Sequence, residues 1–343
     1  MPRKTQYQLI TSPELLEQVN PKNKRLMSDY MTYLRSIQRS EKTIESYRND
    51  LEIFMVWCLQ NADNKFFADV TKRDIIAFQN YLIYTNGNSP ARVRRIKATL
   101  SSMSNYIEAI LDDEPEFKDF RNIVKKVENP VNQPVREKTV FSAEELQSLL
   151  DILVEQKEYQ KACLLALAMC SGRRKSELVR FKADYFKDEN IIYGSLYKTP
   201  EKIKTKGRSL GKFLYAYTLV HGFKPYLDMW IAERERLGID SEWLFISPCD
   251  GGYKQMEITT LNSYADTFSR LLKRDFYWHS MRHYFTTYLS RMSIPEGVIT
   301  EVVGWDSAEM CRIYNDTSTD DELSKYFDEN GIKVQEAGKL SDL

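Results

Sequence analysis

The side chains best suited to chemistry lie in one stretch, HSMRHYFTTYLSRMSIPEGVITEVVGWDSAEMCRIY, running from His279 to Tyr314. His279 and Arg282 are three positions apart and project from one face of a helix. Trp305 and Tyr314 close the stretch, and a second arginine, Arg174, stands far upstream in SGRRKSELVRF. A tyrosine hydroxyl is a nucleophile, a guanidinium grips phosphate oxygens through two parallel hydrogen bonds, and an imidazole carries a proton. That set suits a phosphate under nucleophilic attack and fits few other reactions.

Taken singly, each residue has a plainer reading. Tyr314 is one of 21 tyrosines, and a tryptophan after Gly304 is more often core than function. Arg174 can simply pair with Glu177 three residues on. His279 and His283 have the spacing of two zinc ligands on a helix, but Ser280 stands where a metalloprotease-type site needs glutamate, and His221 belongs to an unrelated segment. No metal is expected. The order and spacing of the residues carry the case, not their types.

The elements that must position them read as two helical domains. Residues 1–22 form an arm with one short helical turn. Helices then fit from Lys24, from Thr43 to Gln60, and from Lys72 to Tyr84 behind a Thr71 cap. A fourth opens at Ser89 and Pro90 and carries Arg92, Arg94, Arg95 and Lys97 in its first two turns. These four are either a solvated basic face or a contact to a DNA backbone, helped by the helix N-terminus. A polar stretch holding Pro130 and Pro134 marks the linker.

The second domain opens with the capping box at Ser142 and Glu145, followed by YQKACLLALAMC, which is apolar nearly all round and so buried. VRFKADYF, NIIYGSLY and KFLYAYTL alternate like strands, the last two forming a hairpin across TPEKIKTKGRSLG. Helices resume from Lys224 to Leu237, from Leu261 to Lys273 and through the opening stretch. The expected fold is mainly α with a small antiparallel β-sheet, an α+β class. Its parts are an arm (1–22), a four-helix domain (23–118), a linker (119–138), a second helical domain with a three-stranded sheet (139–319) and a tail (320–343).

A length of 343 residues fits two domains with separate cores. Lysines plus arginines equal aspartates plus glutamates at 49 each, so net charge does not announce a nucleic-acid partner, and distribution has to. Five scattered cysteines without CxxC spacing read as reduced and intracellular. Neither a signal peptide nor an apolar run of bilayer length is visible, which places the protein in the cytoplasm and off the membrane.

The three blocks together resemble the tyrosine recombinases, the family of phage integrases, Cre-like recombinases and Xer-like resolvases. SGRRKSEL is similar to the family's TGLRxSEL, HSMRHYFTT to HxLRHxFAT, and VGWDSAEMCRIY to LGHxxxxxTxxxY with Trp in place of that His. The resemblance implies a core-binding role for the first domain and a catalytic role for the second, with Tyr314 as nucleophile, Arg174 and Arg282 as phosphate clamps, His279 as proton carrier and Trp305 at the phosphate. It also implies a catalytic lysine in the hairpin turn: Lys206, with Lys204 and Lys198 as alternatives. Arg173 stands where the family usually has an apolar residue, which leaves a role swap with Arg174 open; Arg173 and Arg208 join the DNA-contact set. The implied reaction is site-specific recombination through a 3′-phosphotyrosyl bond, without cofactor, in integration or excision of a mobile element or phage. The implied partners are double-stranded DNA target sites, a homotetramer on synapsed DNA with tail exchange between subunits, and accessory DNA-bending proteins. The alternatives are a topoisomerase-like enzyme or resolvase acting on a single duplex, and a DNA-binding relative without catalysis.

Overall fold

The computed structural model describes residues 10–131, 139–205 and 211–316, and the backbone of two short strands beyond them. The chain divides into two compact units between residues 137 and 138. Among the described residues, no helix is long and apolar enough to cross a membrane.

The first unit holds α1 (Pro13–Gln18), α2 (Pro21–Ser36), α3 (Glu41–Asn61), α4 (Lys72–Asn80) and α5 (Pro90–Ile110). Local chemistry sets their starts. Ser12, Asn20, Ser40, Thr71 and Ser89 each accept a backbone N–H of the first turn, and Pro13, Pro21 and Pro90 pre-set the helical φ. The third helix stops at Asn80 and passes into a π-helical turn, Tyr81–Thr85, rather than running to Tyr84. The apolar faces meet in one core, built on Leu51, Phe54, Phe78, Ile96 and Leu100. Packing continues past residue 118, because Val124 is buried and Ile123 and Val127 lie on the same core.

The basic cluster of α5 is divided by burial. Asp50 on α3 is 1% exposed and pairs with Arg92 Nη1 at 2.5 Å and Thr99 Oγ1 at 2.9 Å, with Arg95 Nε 3.8 Å away. Arg94 reaches the Pro130 carbonyl at 3.3 Å. Lys97 corrects the sequence reading. It is 3% exposed, and its ammonium donates to Gln79 Oε1 (2.7 Å) and to the carbonyls of Val127 (3.0 Å) and Glu128 (2.8 Å). A buried cation with three acceptors is a fastener for the chain leaving this unit, and its ammonium is already satisfied.

The second unit opens with α6 (Ala143–Glu155), α7 (Tyr159–Ser171) and α8 (Lys175–Leu178). VRFKADYF is not a strand. It makes one bridge, Lys182 to Trp243, and then a 3-10 turn, Ala183–Phe186, that buries Tyr185 and Phe186. β1 (Ile191–Ile192), β2 (Leu196–Lys198), β3 (Ile203–Thr205), β4 (Lys212–Leu214) and β5 (Tyr217–Leu219) follow. KFLYAYTL thus breaks at Tyr215 and Ala216. β1, β2 and β5 form a three-stranded antiparallel sheet, and β3 pairs with β4 alone, so the two pairs make one interrupted ribbon.

α9 (Val220–Arg236) begins earlier than the pattern suggests, directly after β5. β6 (Ile246–Cys249) and β7 (Gly252–Gln255) form a hairpin that the sequence did not reveal. Then come α10 (Thr260–Leu272), α11 (Trp278–Arg291), α12 (Glu296–Val303), α13 (Glu309–Tyr314), β8 (Phe327–Asp328) and β9 (Gly331–Ile332). The core centres on α7, whose Leu164, Leu165 and Leu167 are fully buried; each such side chain contributes about 1.5–3 kcal/mol. Apart from that short backbone pair, the proposed exchange tail lies outside the described residues.

Replacing Lys97 with Met should lower unfolding stability by roughly 1–3 kcal/mol, because three acceptors lose their donor. Urea denaturation checks this; an unchanged midpoint refutes the fastener reading.

Candidate active site

The site is assembled on α11. Its first residue, Trp278, is pinned by a bond from Nε1 to the Leu261 carbonyl at 2.6 Å. Two turns on, Phe285 packs on Gly172, the left-handed residue (φ +58°) that ends α7. A Cβ at Gly172 would lie 2.6 Å from Phe285 Cδ1, so only glycine permits this approach. The same approach lets Arg282, 1% exposed, donate from Nη1 to the Gly172 carbonyl at 2.8 Å. The residues that follow Gly172 therefore emerge beside Arg282.

Those residues are the arginine doublet, and burial separates their roles. Arg174 opens α8 and keeps a side chain that is 29% exposed, with Nη1 3.0 Å from Glu177 Oε1. Glu177 is 1% exposed and also accepts the Arg174 backbone N–H at 3.3 Å. Arg173 turns inward, 2% exposed, and donates from Nη2 to the carbonyls of Tyr215 (2.9 Å) and Val302 (3.0 Å). The guanidinium of Arg173 is thus enclosed, and Arg174 is the member of the doublet that stays partly open.

The last part of the unit closes over α11 as a small apolar cluster that includes Phe285, Val303, Trp305 and Tyr314. The Tyr314 hydroxyl lies 2.8 Å from His279 Nε2. The Tyr314 ring is 5.0 Å from that of Trp305 and stacks at 4.5 Å on His283. His283 Nδ1 is 3.2 Å from Asp316 Oδ2, and the Asp316 N–H donates to Thr287 Oγ1 at 3.0 Å. Two turns of α11 thus hold Tyr314 and the residues after it. Sequence reasoning missed the pairing of His283 with Asp316, since nothing local links positions 33 apart. The two histidine rings lie 5.6 Å apart, and no group of three metal-binding side chains occurs among the described residues.

The electrostatics favour an anion. Arg282 Cζ sits 5.0 Å from the Trp305 ring centroid, which faces the cation with π-electron density. Its Nε and Nη2, and the indole Nε1 of Trp305, have no hydrogen-bond partner among the described residues. Burial and the nearby Arg174 charge pull the Arg282 pKa down to about 9, leaving it charged at neutral pH. Burial, then the charges of His283, Arg282 and Arg174, push His279 down to about 4. His279 is therefore neutral. With its proton on Nδ1, Nε2 is a lone-pair acceptor for the phenol, at a distance suited to general-base catalysis.

The lysines divide. Lys198 ends β2 with its ammonium 4.6 Å from the Tyr215 ring centroid. Lys204 points outward from β3, between inward-facing Ile203 and Thr205. Thr205 is the rung partner of Lys212, which pairs with Asp306, the residue after Trp305. Lys206 and Arg208 lie outside the described residues. Arg92, Arg94 and Arg95 belong to the first unit.

Comparison with known proteins settles the family. The sequence profile described as "Phage integrase family" matches residues 139–320, more than half of the chain. The chain belongs to the phage integrase family. A second profile, the family's N-terminal SAM-like domain, matches residues 26–116. These tyrosine recombinases are enzymes that break and rejoin DNA strands. Among the relatives of this family member is the SPbeta prophage-derived recombinase-like protein YomM of Bacillus subtilis, 28% identical over 80% of each chain. The tyrosine recombinase XerH of Helicobacter pylori is 26% identical over 77% of this chain and 73% of its own. Among solved structures, XerH on its difH substrate superposes with a TM-score of 0.62 at 18% identity, covering 88% of this chain and 91% of that one. A lambda integrase dimer on a COC' core site gives 0.62 at 17%, covering 95% and 85%. At these identities the superpositions establish the shared α+β fold.

Two outcomes follow from the charges. Because burial disfavours protonated His279, the unfolded chain takes up that proton first, so acid should erode stability as pH falls from 6.5 towards 4. His279→Asn should flatten that window in pH-dependent denaturation, and NMR titration should find His279 neutral at pH 6. Glu177→Gln should cost about 2–4 kcal/mol in urea, less than a fully buried pair because Arg174 is partly exposed.

Proposed function

We propose that this chain is a site-specific DNA recombinase that works through a covalent 3′-phosphotyrosyl intermediate. The observation that carries the reading is the hydroxyl of Tyr314 on neutral His279, beside Arg282, whose guanidinium keeps two unsatisfied buried donors. Tyr314 attacks the scissile phosphorus as its proton passes to His279. Arg174 and Arg282 hold the non-bridging oxygens, where negative charge grows in the transition state. The indole N–H of Trp305 faces the same oxygens. The bond to the 5′-oxygen breaks, and a ribbon lysine supplies the proton of the departing hydroxyl.

Lys206 is that lysine in our reading, with Lys204 and Lys198 as alternatives. The Lys212–Asp306 pair, which draws the Thr205 end of the ribbon towards Trp305, supports a lysine near that rung over Lys198. The phosphotyrosyl bond conserves the energy of the broken phosphodiester, so rejoining needs neither ATP nor a metal. The helical first domain would bind duplex DNA with Arg92, Arg94 and Arg95, and the second domain would carry the chemistry.

DNA as substrate is supported by the DNA-bound state of XerH and lambda integrase in their solved structures. Integration or excision of a phage or other mobile element is supported by the prophage origin of YomM. Exchange between two duplexes calls for four protomers on synapsed sites, with tail exchange and DNA-bending accessory proteins as further partners, in the cytoplasm.

On a nicked suicide duplex, wild-type protein should form a covalent adduct that Tyr314→Phe abolishes. Arg174→Lys and Arg282→Lys should slow adduct formation by about 10²–10³-fold. An adduct that survives Tyr314→Phe removes Tyr314 from this role. DNA affinity should fall steeply and linearly with log salt, and Arg94→Ala should reduce that slope by about 1.

A further inference from the structure

Arg173 is the one buried cation of the site for which the reaction above has no use. It is 2% exposed, and the only carboxylate within 4 Å of it among the described residues, Glu177, is 4.0 Å from Nη1 and already bonded to Arg174. Its Nε has no hydrogen-bond partner there. Enclosing a guanidinium with so little compensation is costly, and an apolar side chain would fill the volume with no such penalty.

What arginine provides is a rigid fork with two directed bonds. One arm of the guanidinium bonds the Tyr215 carbonyl, in the break between β4 and β5, and also the Val302 carbonyl, three residues before Trp305. The other arm faces the backbone that leads into Trp305. A Cβ on Gly304 (φ +78°) would lie 3.1 Å from Arg173 Nη1 and 3.1 Å from Leu214 Cδ1. Three pieces of chain therefore meet on one guanidinium: the turn that carries Arg174, the ribbon that carries the lysines, and the end of α12 that delivers Trp305. None of the three is continuous with another in sequence.

We propose that Arg173 is a positioning residue, which ties the ribbon and the end of α12 to the Arg174 turn and so fixes the phosphate-facing groups in register. The inference rests on the proposed reaction. It predicts that weakening the fork slows chemistry without weakening DNA binding, because Arg173 itself does not reach DNA. A displacement of about 1 Å at a reacting group is enough to cost roughly 100-fold in rate.

The test measures single-turnover adduct formation on the nicked duplex at saturating DNA, with DNA affinity measured separately at the same salt. Arg173→Lys, which keeps the charge but not the fork, should be roughly tenfold slow, and Arg173→Met roughly 100-fold slow, both with affinity within about twofold of wild type. If Arg173→Met does not fold, the lysine variant decides. Wild-type rates in both variants, a parallel fall of rate and affinity, or failure of both to fold would overturn the proposal. Absence of an adduct with the wild-type protein, or an adduct that survives Tyr314→Phe, instead overturns the reaction on which it rests.

Discussion

The catalytic unit depends on the close approach of α11 to Gly172. A residue with a side chain at that position would collide with Phe285, and Arg282 would lose the carbonyl that orients its guanidinium. From this single contact the arginine doublet gains its place. α7 ends in a left-handed turn, Arg173 is sent into the interior, and Arg174 is left partly exposed. A helix buried nearly all round thus sets the position of a polar group, because the residue that caps it decides where the following chain emerges.

A surplus of positive charge is the second constraint. Three guanidiniums surround Glu177, a single buried carboxylate, while two nitrogens of Arg282 and the indole of Trp305 keep unused protons. Each unsatisfied buried donor costs about 1–3 kcal/mol. Stacking on Trp305 and the carbonyl bond offset part of that cost. An anion that accepted the remaining donors would recover the rest, which is the physical sense in which the site is prepared for a phosphate. Burial first, and then the same field, hold His279 neutral, so an arrangement suited to binding charge also keeps an uncharged imidazole beside Tyr314.

The basic face of α5 illustrates how far a pattern of charges can be read. Arg92, Arg94, Arg95 and Lys97 look alike in sequence, yet Lys97 is consumed by the chain leaving the first unit and Arg92 is bound to buried Asp50. Their partners lie 18 to 42 positions away, and no local rule shows them. The first expected strand failed in a similar way. VRFKADYF has the alternation of a strand, but Phe181, Tyr185 and Phe186 are all buried and the chain curls to achieve it.

By itself the sequence made legible most of the helices, their caps and the set of side chains whose chemistry suits a phosphate. These are local matters: period, capping chemistry and the order of blocks are written in adjacent residues. The nine-residue interval from Trp305 to Tyr314 and the block SGRRKSEL were the most informative signals. Tertiary structure alone decided which arginine of the doublet stays partly exposed, that His279 is neutral and bonded to Tyr314, and that His283 stacks on Tyr314 while pairing with Asp316. Those outcomes depend on burial and on partners distant in the chain, and both exist only once α7, α11 and α13 have packed together.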